Sequence, residues 1–316
     1  MERISQYVHR TPLKQSTTLN ALTGGKIFLK MENLQRTGSF KLRGAMNKVV
    51  SLSDREASRG IIAASAGNHA QGVALAASLR GRSSTIFMPK KTPFTKVSAT
   101  KEYGAEVVLD GATYQEAYQL ALDEMKREGS TFIHAFDDPK VMAGQGTVAL
   151  EMLQQFSDLD VILVPVGGGG LLAGMAIAVK ALYPHVSIIG VQAQGAPALY
   201  NFFKGKSKRA IDHAHTIAEG ILVKKPGELT FPIIQKYVDD MVTVRDEEIC
   251  QSIIFMLQRE KTLVEGAAAL AAVMCQKVTV PGKKVGCVIS GGNVDLNMLA
   301  SYRDLSRRMT HLDESG

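Results

Sequence analysis

The chain has 316 residues, of which 45% are hydrophobic and 21% charged, and it carries a formal net charge of +7. This length allows two domains whose cores need no disulfide or metal support. The positive charge is spread along the chain without a basic arm or an aromatic stripe, so we expect an anionic small ligand and no nucleic acid partner. Apolar runs of the length of a signal peptide or a membrane span do not occur, which predicts a cytoplasmic protein that does not contact membranes.

The cysteines Cys250, Cys275 and Cys287 are odd in number and none lies in a Cys-x-x-Cys pair. Each stands among apolar residues. We therefore predict three reduced core residues with no metal-binding or redox role.

The first distinctive segment, residues 37–45, places a lysine one residue after an aromatic residue. Apolar residues at helical spacing follow, which predicts a helix that Ser39 caps and whose first turn contains Lys41. The positive end of the helix dipole and the ring of Phe40 both disfavour an ammonium, so we expect a lowered pKa for Lys41 and a nucleophilic amine. By itself, the segment is more typical of a solvated lysine at the start of a helix.

Short apolar runs alternate with longer helical patterns from residue 60 onward. The pattern predicts strands at 61–64, 85–88, 107–109, 132–133, 161–164 and 188–191, and helices at about 68–79, 93–103, 114–128, 139–156 and 170–182. Such alternation indicates an α/β protein with two domains of parallel-rich twisted sheets flanked by helices. Residues 194–227 lack clear periodicity and are predicted to be rich in loops, and the polar tail after residue 295 is predicted to fray.

Three glycine-rich loops each follow a predicted strand, where ligands of parallel sheets bind. They are residues 65–72, 167–170 and 290–293. The four consecutive glycines of 167–170 place backbone N–H groups at the start of a helix with no side chain in the way, which favours a phosphate site. The loop that begins at Ser65 offers backbone donors for a carboxylate, and the hydroxyl of Ser290 should emerge at the end of the last strand.

A dinucleotide site is the competing interpretation of the glycine loop. Gly168, Gly170 and Ala173 fit the G-x-G-x-x-A spacing, but Gln192 stands where an acidic ribose ligand is expected. A dinucleotide-binding oxidoreductase or a nucleotide sensor therefore remains the alternative from a different class. Pyridoxal 5'-phosphate matches more of the pattern, because it has a phosphate for the glycines, an aldehyde for Lys41, an aromatic ring beside Phe40 and a ring atom for Ser290.

The motifs that carry a resemblance to a known family run in order over nearly the whole chain. They are residues 35–45, 65–72, 137–147, 167–171 and 290–293, and Glu265-Gly266-Ala267. Together they resemble the serine/threonine dehydratase family of fold type II pyridoxal-phosphate enzymes, whose fold is like that of the tryptophan synthase β chain. The similarity is greatest to the short catabolic threonine dehydratases. The resemblance implies a large cofactor-binding domain of residues 1–52 and 140–316, and a small mobile domain of residues 53–139.

The resemblance also implies the roles of individual residues. Lys41 would be the catalytic residue and would bind the cofactor aldehyde as a Schiff base, Asn68 would bond the 3-oxygen of the cofactor ring, and Ser290 would meet its nitrogen. The remaining cofactor contacts would be Phe40, Gly167, Gly168, Gly169, Gly170 and Leu171. The substrate carboxylate would be bound by the loop that contains Ser65, Ala66, Asn68 and His69.

The implied activity is β-elimination of L-threonine, with L-serine as a second substrate, to a 2-oxo acid and ammonia. A serine or threo-3-hydroxyaspartate dehydratase or racemase of the same family is the runner-up. Related serine racemases carry a serine where this chain has Ala66, and they bind a divalent cation through acidic residues where it has Gln192 and Ala198, so we expect neither racemisation as the main activity nor that metal site. Short catabolic relatives form homodimers or homotetramers and respond to AMP, which makes AMP a candidate effector here.

Overall fold

Two β-sheets and their flanking helices make up the described part of the chain. The computed structural model describes residues 1–207, 209–266 and 268–313, with only the backbone for 308–313. The strands are β1 (Leu13–Gln15), β2 (Lys26–Met31), β3 (Ile61–Ala64), β4 (Ser84–Met88), β5 (Glu106–Leu109), β6 (Thr131–Phe132), β7 (Val161–Pro165), β8 (Ser187–Ala193), β9 (Asp240–Val244) and β10 (Lys284–Ile289).

Helices connect these strands. They are α1 (Glu2–Ser5), α2 (Thr17–Thr23), α3 (Lys41–Ser51), α4 (Asp54–Ser58), α5 (Asn68–Leu79), α6 (Phe94–Glu102), α7 (Tyr114–Glu128), α8 (Pro139–Gln155), α9 (Gly170–Leu182), α10 (Ala198–Phe203), α11 (Thr230–Tyr237), α12 (Asp246–Gln258), α13 (Ala268–Met274) and α14 (Leu299–Asp313). Short 3₁₀ turns occur at Glu32–Leu34, Glu219–Ile221 and Leu296–Met298. No helix in the described ranges is both long enough and apolar enough to cross a membrane.

The larger sheet has the strand order β1-β2-β10-β7-β8-β9, and all its pairs are parallel except β1 with β2. The smaller sheet has the order β5-β4-β3-β6 and is entirely parallel. The predicted α/β class with parallel-rich sheets is therefore confirmed. All four strands of the smaller sheet lie within residues 53–139, the segment predicted to form a small domain; the domain bounds themselves stay a prediction.

The pairing of β2 with β10 brings together the two ends of the chain. Lys26 to Met31 pair in register with Lys284 to Ile289, and β7 pairs with the other edge of β10. Because the three strands are parallel, their carboxyl ends lie side by side. Three segments consequently leave the sheet side by side, at the carboxyl ends of its strands. They are the segment that leads to Lys41, the loop that starts at Ser290 and the loop of residues 167–170.

The predicted boundaries hold well for the regular elements. The helices predicted at 68–79, 114–128 and 170–182 have exactly these bounds, because apolar periodicity and glycines or caps mark both ends. The prediction that the tail frays is wrong for residues 299–313, which form α14. Leu299, Tyr302 and Leu305 recur every three residues and pack on the core, and Tyr302 is 8% exposed. Cys250 and Cys287 are buried free thiols as predicted, whereas Cys275 is only partly buried.

A buried ion network holds α3 in place. The fully buried guanidinium of Arg43 donates to both oxygens of Glu32, at 2.7 and 2.8 Å, and to Glu151 on α8. Arg43 donates to both oxygens of Glu151, and the ammonium of Lys30 donates to Oε2 of the same carboxylate at 2.7 Å. Two positive and two negative groups thus satisfy one another, which is what makes their burial tolerable. Since Lys41 lies two residues before Arg43, the network also fixes the start of α3.

We expect Glu151→Gln to lower the free energy of unfolding by about 3–5 kcal/mol, because it leaves Arg43 and Lys30 buried with half of their compensating charge. Burial raises the pKa of Glu151, but the hydrogen bonds and charges of Arg43 and Lys30 bring it below its ordinary value of 4.5. The stabilisation should therefore be complete above the unfolded pKa and disappear as the pH falls through the lower folded one. Urea unfolding of both proteins from pH 7 to pH 3 measures this.

Arg127→Gln is the control for this experiment, since the side chain of Arg127 is 70% exposed in its ion pair with Glu124 on α7. Its unfolding midpoint should match that of the wild type. Equal midpoints for Glu151→Gln and the wild type at pH 7 would contradict a stabilising role for the network.

Candidate active site

Lys41 is the first residue of α3 and is partly buried. Its Nζ donates a hydrogen bond to the backbone oxygen of Ala135 at 3.0 Å and lies 5.2 Å from the ring centroid of Phe40. Burial lowers the pKa of Lys41 to about 8, against an opposing effect of the charge of Glu265. The predicted lowering is confirmed, with desolvation as its largest cause. At pH 7 roughly a tenth of the amine is then neutral, far more than for an ordinary lysine.

The predicted cap of α3 is wrong. Phe40 is the N-cap and no side chain caps the helix. The backbone of Ser39 forms an isolated antiparallel bridge with Gly291, and its buried hydroxyl has no hydrogen-bond partner within the described ranges. Pairing with the loop after β10 thus takes Ser39 out of the capping position.

The loop after β10 lies directly against the segment before Lys41. The N–H of Phe40 donates to the backbone oxygen of Ser290 at 3.1 Å, and the N–H of Gly292 donates to that of Gly38 at 2.9 Å. Gly38 has a φ of +69°, a conformation that a residue with a side chain rarely adopts. These bonds bring the predicted ring-nitrogen ligand, Ser290, next to the predicted catalytic lysine.

Helix α5 brings the Ser65 loop to the same place from the smaller sheet. A Cβ added at Gly72 would lie 3.2 Å from backbone atoms at the start of α3, so the two helices are in close contact there. The side chain of Asn68 donates to the carboxylate of Glu265 and accepts a hydrogen bond from Asn293 at 2.7 Å. The side chain of Asn68, the first residue of α5, therefore bonds to the connection between α12 and α13 and to the loop after β10.

The other members of the Ser65 loop have different environments. Ser65 and Ala66 are partly buried, and the hydroxyl of Ser65 accepts the N–H of Gly67 at 3.3 Å. The ring of His69 is 3% exposed and its Nε2 donates to the backbone oxygen of Ile133 at 2.9 Å. Burial lowers the pKa of His69 to about 3, so the ring is neutral and packed inside the smaller unit. Its other ring nitrogen, Nδ1, is buried and has no hydrogen-bond partner within the described ranges.

The four glycines form the turn from β7 to α9. The backbone N–H groups of residues 167–171 donate no hydrogen bond to any described part of the chain, although residues 168–171 are buried. A row of unpaired donors at the start of a 13-residue helix is a site for an anion such as phosphate. Gly169 has a φ of +97°, and a Cβ at Gly170 would lie 2.8 Å from backbone atoms of Phe136.

The segment after β6 connects this glycine loop to Lys41. Ala135 accepts the hydrogen bond from Lys41, and the next residue, Phe136, packs on the glycines. Asp137 accepts the N–H groups of residues 228–230 at 2.9 to 3.1 Å, and the hydroxyl of Thr230 donates to the backbone oxygen of Gly168 at 2.7 Å. The glycine loop is thereby held by Phe136 on one side and by Thr230 on the other.

The structure thus connects Lys41, Phe40, Asn68, Ser290 and the glycine loop through direct contacts or short chains of contacts. Sequence reasoning assigned no role to four residues that complete the site: Ala135, Phe136, Glu265 and Asn293. Phe136, Glu265 and Asn293 lie in or beside motifs that carry the family resemblance, and this position was the only signal in the sequence that could have identified them. Ala267, of the motif Glu265-Gly266-Ala267, lies outside the described residues. The geometry combines a reactive amine, an anion cradle and free helix N–H groups, and the unpaired donors at residues 167–171 fit the phosphate of pyridoxal phosphate.

Comparisons with known proteins agree with this chemistry. Residues 4–291 match the family described as pyridoxal-phosphate dependent enzyme. The chain is 50% identical to an L-threonine ammonia-lyase of Thermotoga maritima over 94% of this chain and 74% of the relative, and 42% identical to the catabolic L-threonine dehydratase of Escherichia coli over 95% and 92%. Among solved structures, the processed form of threonine deaminase isoform 2 from Solanum lycopersicum superposes with a TM-score of 0.93 at 36% identity, covering 96% of this chain and 85% of that one.

We expect Gly170→Ala to weaken the binding of pyridoxal phosphate by at least about tenfold, because the new Cβ meets the backbone of Phe136 and must displace the start of α9. Equilibrium titration of the apoprotein, followed by cofactor absorbance, measures the dissociation constant. Gly220→Ala is the control, since Gly220 borders the same loop but a Cβ there meets nothing within 4 Å. Equal affinities for the two variants would show that the cradle does not depend on this close contact.

Proposed function

Because this chain belongs to the family of pyridoxal-phosphate dependent enzymes, we propose that it is an L-threonine ammonia-lyase, which converts L-threonine to 2-oxobutanoate and ammonia. L-Serine, giving pyruvate, is the proposed second substrate. The observation that carries the proposal is the partly buried lysine of lowered pKa, which Ala135 and Phe136 connect to the anion cradle at residues 167–171.

The residues that would hold the cofactor are those predicted from the sequence. Lys41 would bind its aldehyde, Asn68 the 3-oxygen of its ring, and Ser290 its ring nitrogen, while Phe40, Gly167, Gly168, Gly169, Gly170 and Leu171 would complete the site. When bound, the cofactor supplies an electron-withdrawing ring that stabilises negative charge at the α-carbon of the substrate. The hydroxyl of Ser290 forms no hydrogen bond within the described ranges, so it is free for this contact.

Each step left to the protein has a residue suited to it. Lys41 removes the proton from the α-carbon, and its pKa of about 8 lies close to the pH at which a general base is most effective. The N–H groups of Ala66, Asn68 and His69, at the start of α5, receive the substrate carboxylate together with the hydroxyl of Ser65. The N–H groups of Ser65 and Gly67 are not available for it, because they already donate to the backbone oxygen of Phe87 and to the hydroxyl of Ser65, respectively. Ser290 is neutral and does not keep the ring nitrogen protonated as a carboxylate would, which favours loss of the β-hydroxyl over transamination.

Ala66 argues against racemisation, the runner-up within the same family. A racemase needs a second proton carrier on the opposite face of the substrate, and a methyl group carries no proton. A serine or threo-3-hydroxyaspartate dehydratase has the same lysine and cradle, and one methyl group discriminates substrates by only about 1–3 kcal/mol. Rates with threonine, serine and threo-3-hydroxyaspartate therefore decide the substrate.

We also propose that the protein is a cytoplasmic homodimer or homotetramer that AMP regulates, and that residues 53–139 move as a unit on substrate binding. Resemblance to the short catabolic dehydratases supports the assembly and the effector. The grouping of β3 to β6 within 53–139 supports the moving unit.

We expect wild-type protein loaded with pyridoxal phosphate to form 2-oxobutanoate from L-threonine, and Lys41→Ala to be slower by at least about a hundredfold, because the variant has no amine to move the proton. A 2-oxo acid assay measures the rate, and the visible spectrum reports cofactor binding. Lys140→Ala, an exposed change at the start of α8, should keep the wild-type rate. A wild-type protein that binds no cofactor and forms no oxo acid would disprove the proposed function.

We expect AMP to raise the melting temperature of the protein and to lower the KM for threonine, since a ligand that binds the native state stabilises it. A thermal-shift titration and initial rates with and without AMP are the measurements, with adenosine as the control that lacks the phosphate. If AMP changes neither quantity, the regulatory part of the proposal is wrong while the catalytic part is unaffected.

A further inference from the structure

The amide of Asn68 is held at both of its ends. Its Nδ2 donates to Oε1 of Glu265, and its Oδ1 accepts a hydrogen bond from Nδ2 of Asn293 at 2.7 Å. Nδ2 of Asn293 also donates to the backbone oxygen of Thr37 at 2.8 Å, four residues before Lys41. A primary amide has two N–H donors, so Nδ2 of Asn68 retains one donor for a ligand.

We propose that Glu265 is a positioning residue: its carboxylate fixes the Asn68 amide so that the remaining N–H of Nδ2 is available to the cofactor. This inference rests on the proposed function, since it takes the bound group to be pyridoxal phosphate. A charged acceptor binds one N–H about twice as strongly as a neutral one and polarises the amide that donates it. Asn293 alone supports only the oxygen end and would leave the nitrogen without a fixed direction.

The backbone around Glu265 is built to keep this carboxylate in place. Glu265 follows the fully buried Val264 in the connection between α12 and α13, and its N–H donates to the backbone oxygen of Gly291 at 2.9 Å. A Cβ added at Gly291 would collide with the Glu265 carboxylate, and a Cβ added at Gly38 would lie 3.0 Å from Cγ of Asn293. Because Gly291 and Gly38 have no side chains, there is room for Glu265 and Asn293, the two partners of Asn68.

The charges around Glu265 bring its titration near neutrality. The pKa of Glu265 is raised to about 7, and burial is the largest cause; the hydrogen bond from Asn68 opposes the rise, the charge of Glu219 adds to it, and the charges of Lys96 and Lys41 oppose it. Tyr302 on α14 also faces Glu265 closely enough to interact with its charge. Above about pH 7 the carboxylate is ionised and accepts the Asn68 N–H most strongly; below it, protonation weakens this hold.

A double-mutant cycle on the affinity for pyridoxal phosphate tests the inference. Glu265→Gln keeps the shape of the side chain and removes its charge, and Asn68→Ala removes the positioned amide. We expect each single change to raise the dissociation constant of the cofactor by roughly ten- to a hundredfold at pH 8. In the Asn68→Ala protein, adding Glu265→Gln should raise it less than about threefold, because Glu265 then has no amide to orient. Full additivity of the two effects would overturn the inference.

The pH dependence separates positioning from general loss of stability. The ratio of the dissociation constants of Glu265→Gln and wild type should be largest well above pH 7 and approach 1 well below it, because the wild-type carboxylate is then neutral as well. A ratio that does not change with pH would indicate a merely structural effect and would overturn the inference.

Glu260→Gln is the matched control, because Glu260 is a second acid of the same connection, 7% exposed, that binds Lys14 instead of Asn68. Its cofactor affinity should equal that of the wild type; a loss like that of Glu265→Gln would show that any lost acid in this connection has the same effect, and would overturn the inference. Failure of the proposed function looks different. A wild-type protein that binds the cofactor but forms no 2-oxobutanoate contradicts the ammonia-lyase and leaves the cycle interpretable, whereas additive effects in an active enzyme contradict only the role of Glu265.

Discussion

The parallel pairing of β2 with β10 is the constraint on which the site depends. It joins a strand that ends at residue 31 to one that begins at residue 284, so the approach to Lys41 runs beside the loop after Ile289. The hydrogen bonds of Gly38 and Phe40 to that loop continue the pairing beyond the strands. Without this pairing, Lys41 and Ser290 would not follow neighbouring strands and would not lie close together.

Helix α3 transmits this position to the rest of the protein. Its apolar face, which includes Leu42, Met46 and Val49, packs with the core around the smaller sheet, while Arg43 is bound to Glu32, which follows β2, and to Glu151 on α8. The helix therefore packs between α5 and α8 and is joined to α8 by an ion pair. Because Lys41 is the first residue of α3, a shift of this helix would also move the lysine amine.

Desolvation acts in opposite directions on the two ionisable groups nearest the chemistry. It favours the neutral amine of Lys41, whose pKa falls to about 8, and the neutral acid of Glu265, whose pKa rises to about 7. Their mutual attraction limits both shifts. Groups whose pKa values are moved towards neutrality can exchange protons at physiological pH, which is the property that an elimination catalyst needs of its base.

The sequence by itself determined the local structure and the parts of the site that are local. Strand and helix periods, glycines after strands and the lysine after Phe40 depend only on neighbours in the chain, so the α/β class, the bounds of the helices at 68–79, 114–128 and 170–182 and the glycine turn at residues 167–170 were predictable. The cap of α3 and the helix in the tail were not predictable, because they depend on contacts with distant residues. Ser39 pairs with Gly291, and Tyr302 packs in the same core cluster as residues of α12.

Only the tertiary structure decided which distant groups serve the lysine. Ala135 is 94 residues from Lys41, and Glu265 is 197 residues from Asn68, so no local pattern connects them. The family motifs marked Glu265 and Asn293 as notable without saying what they do. Their hydrogen bonds with Asn68 form because the tertiary structure brings these segments together, whatever their separation in the chain.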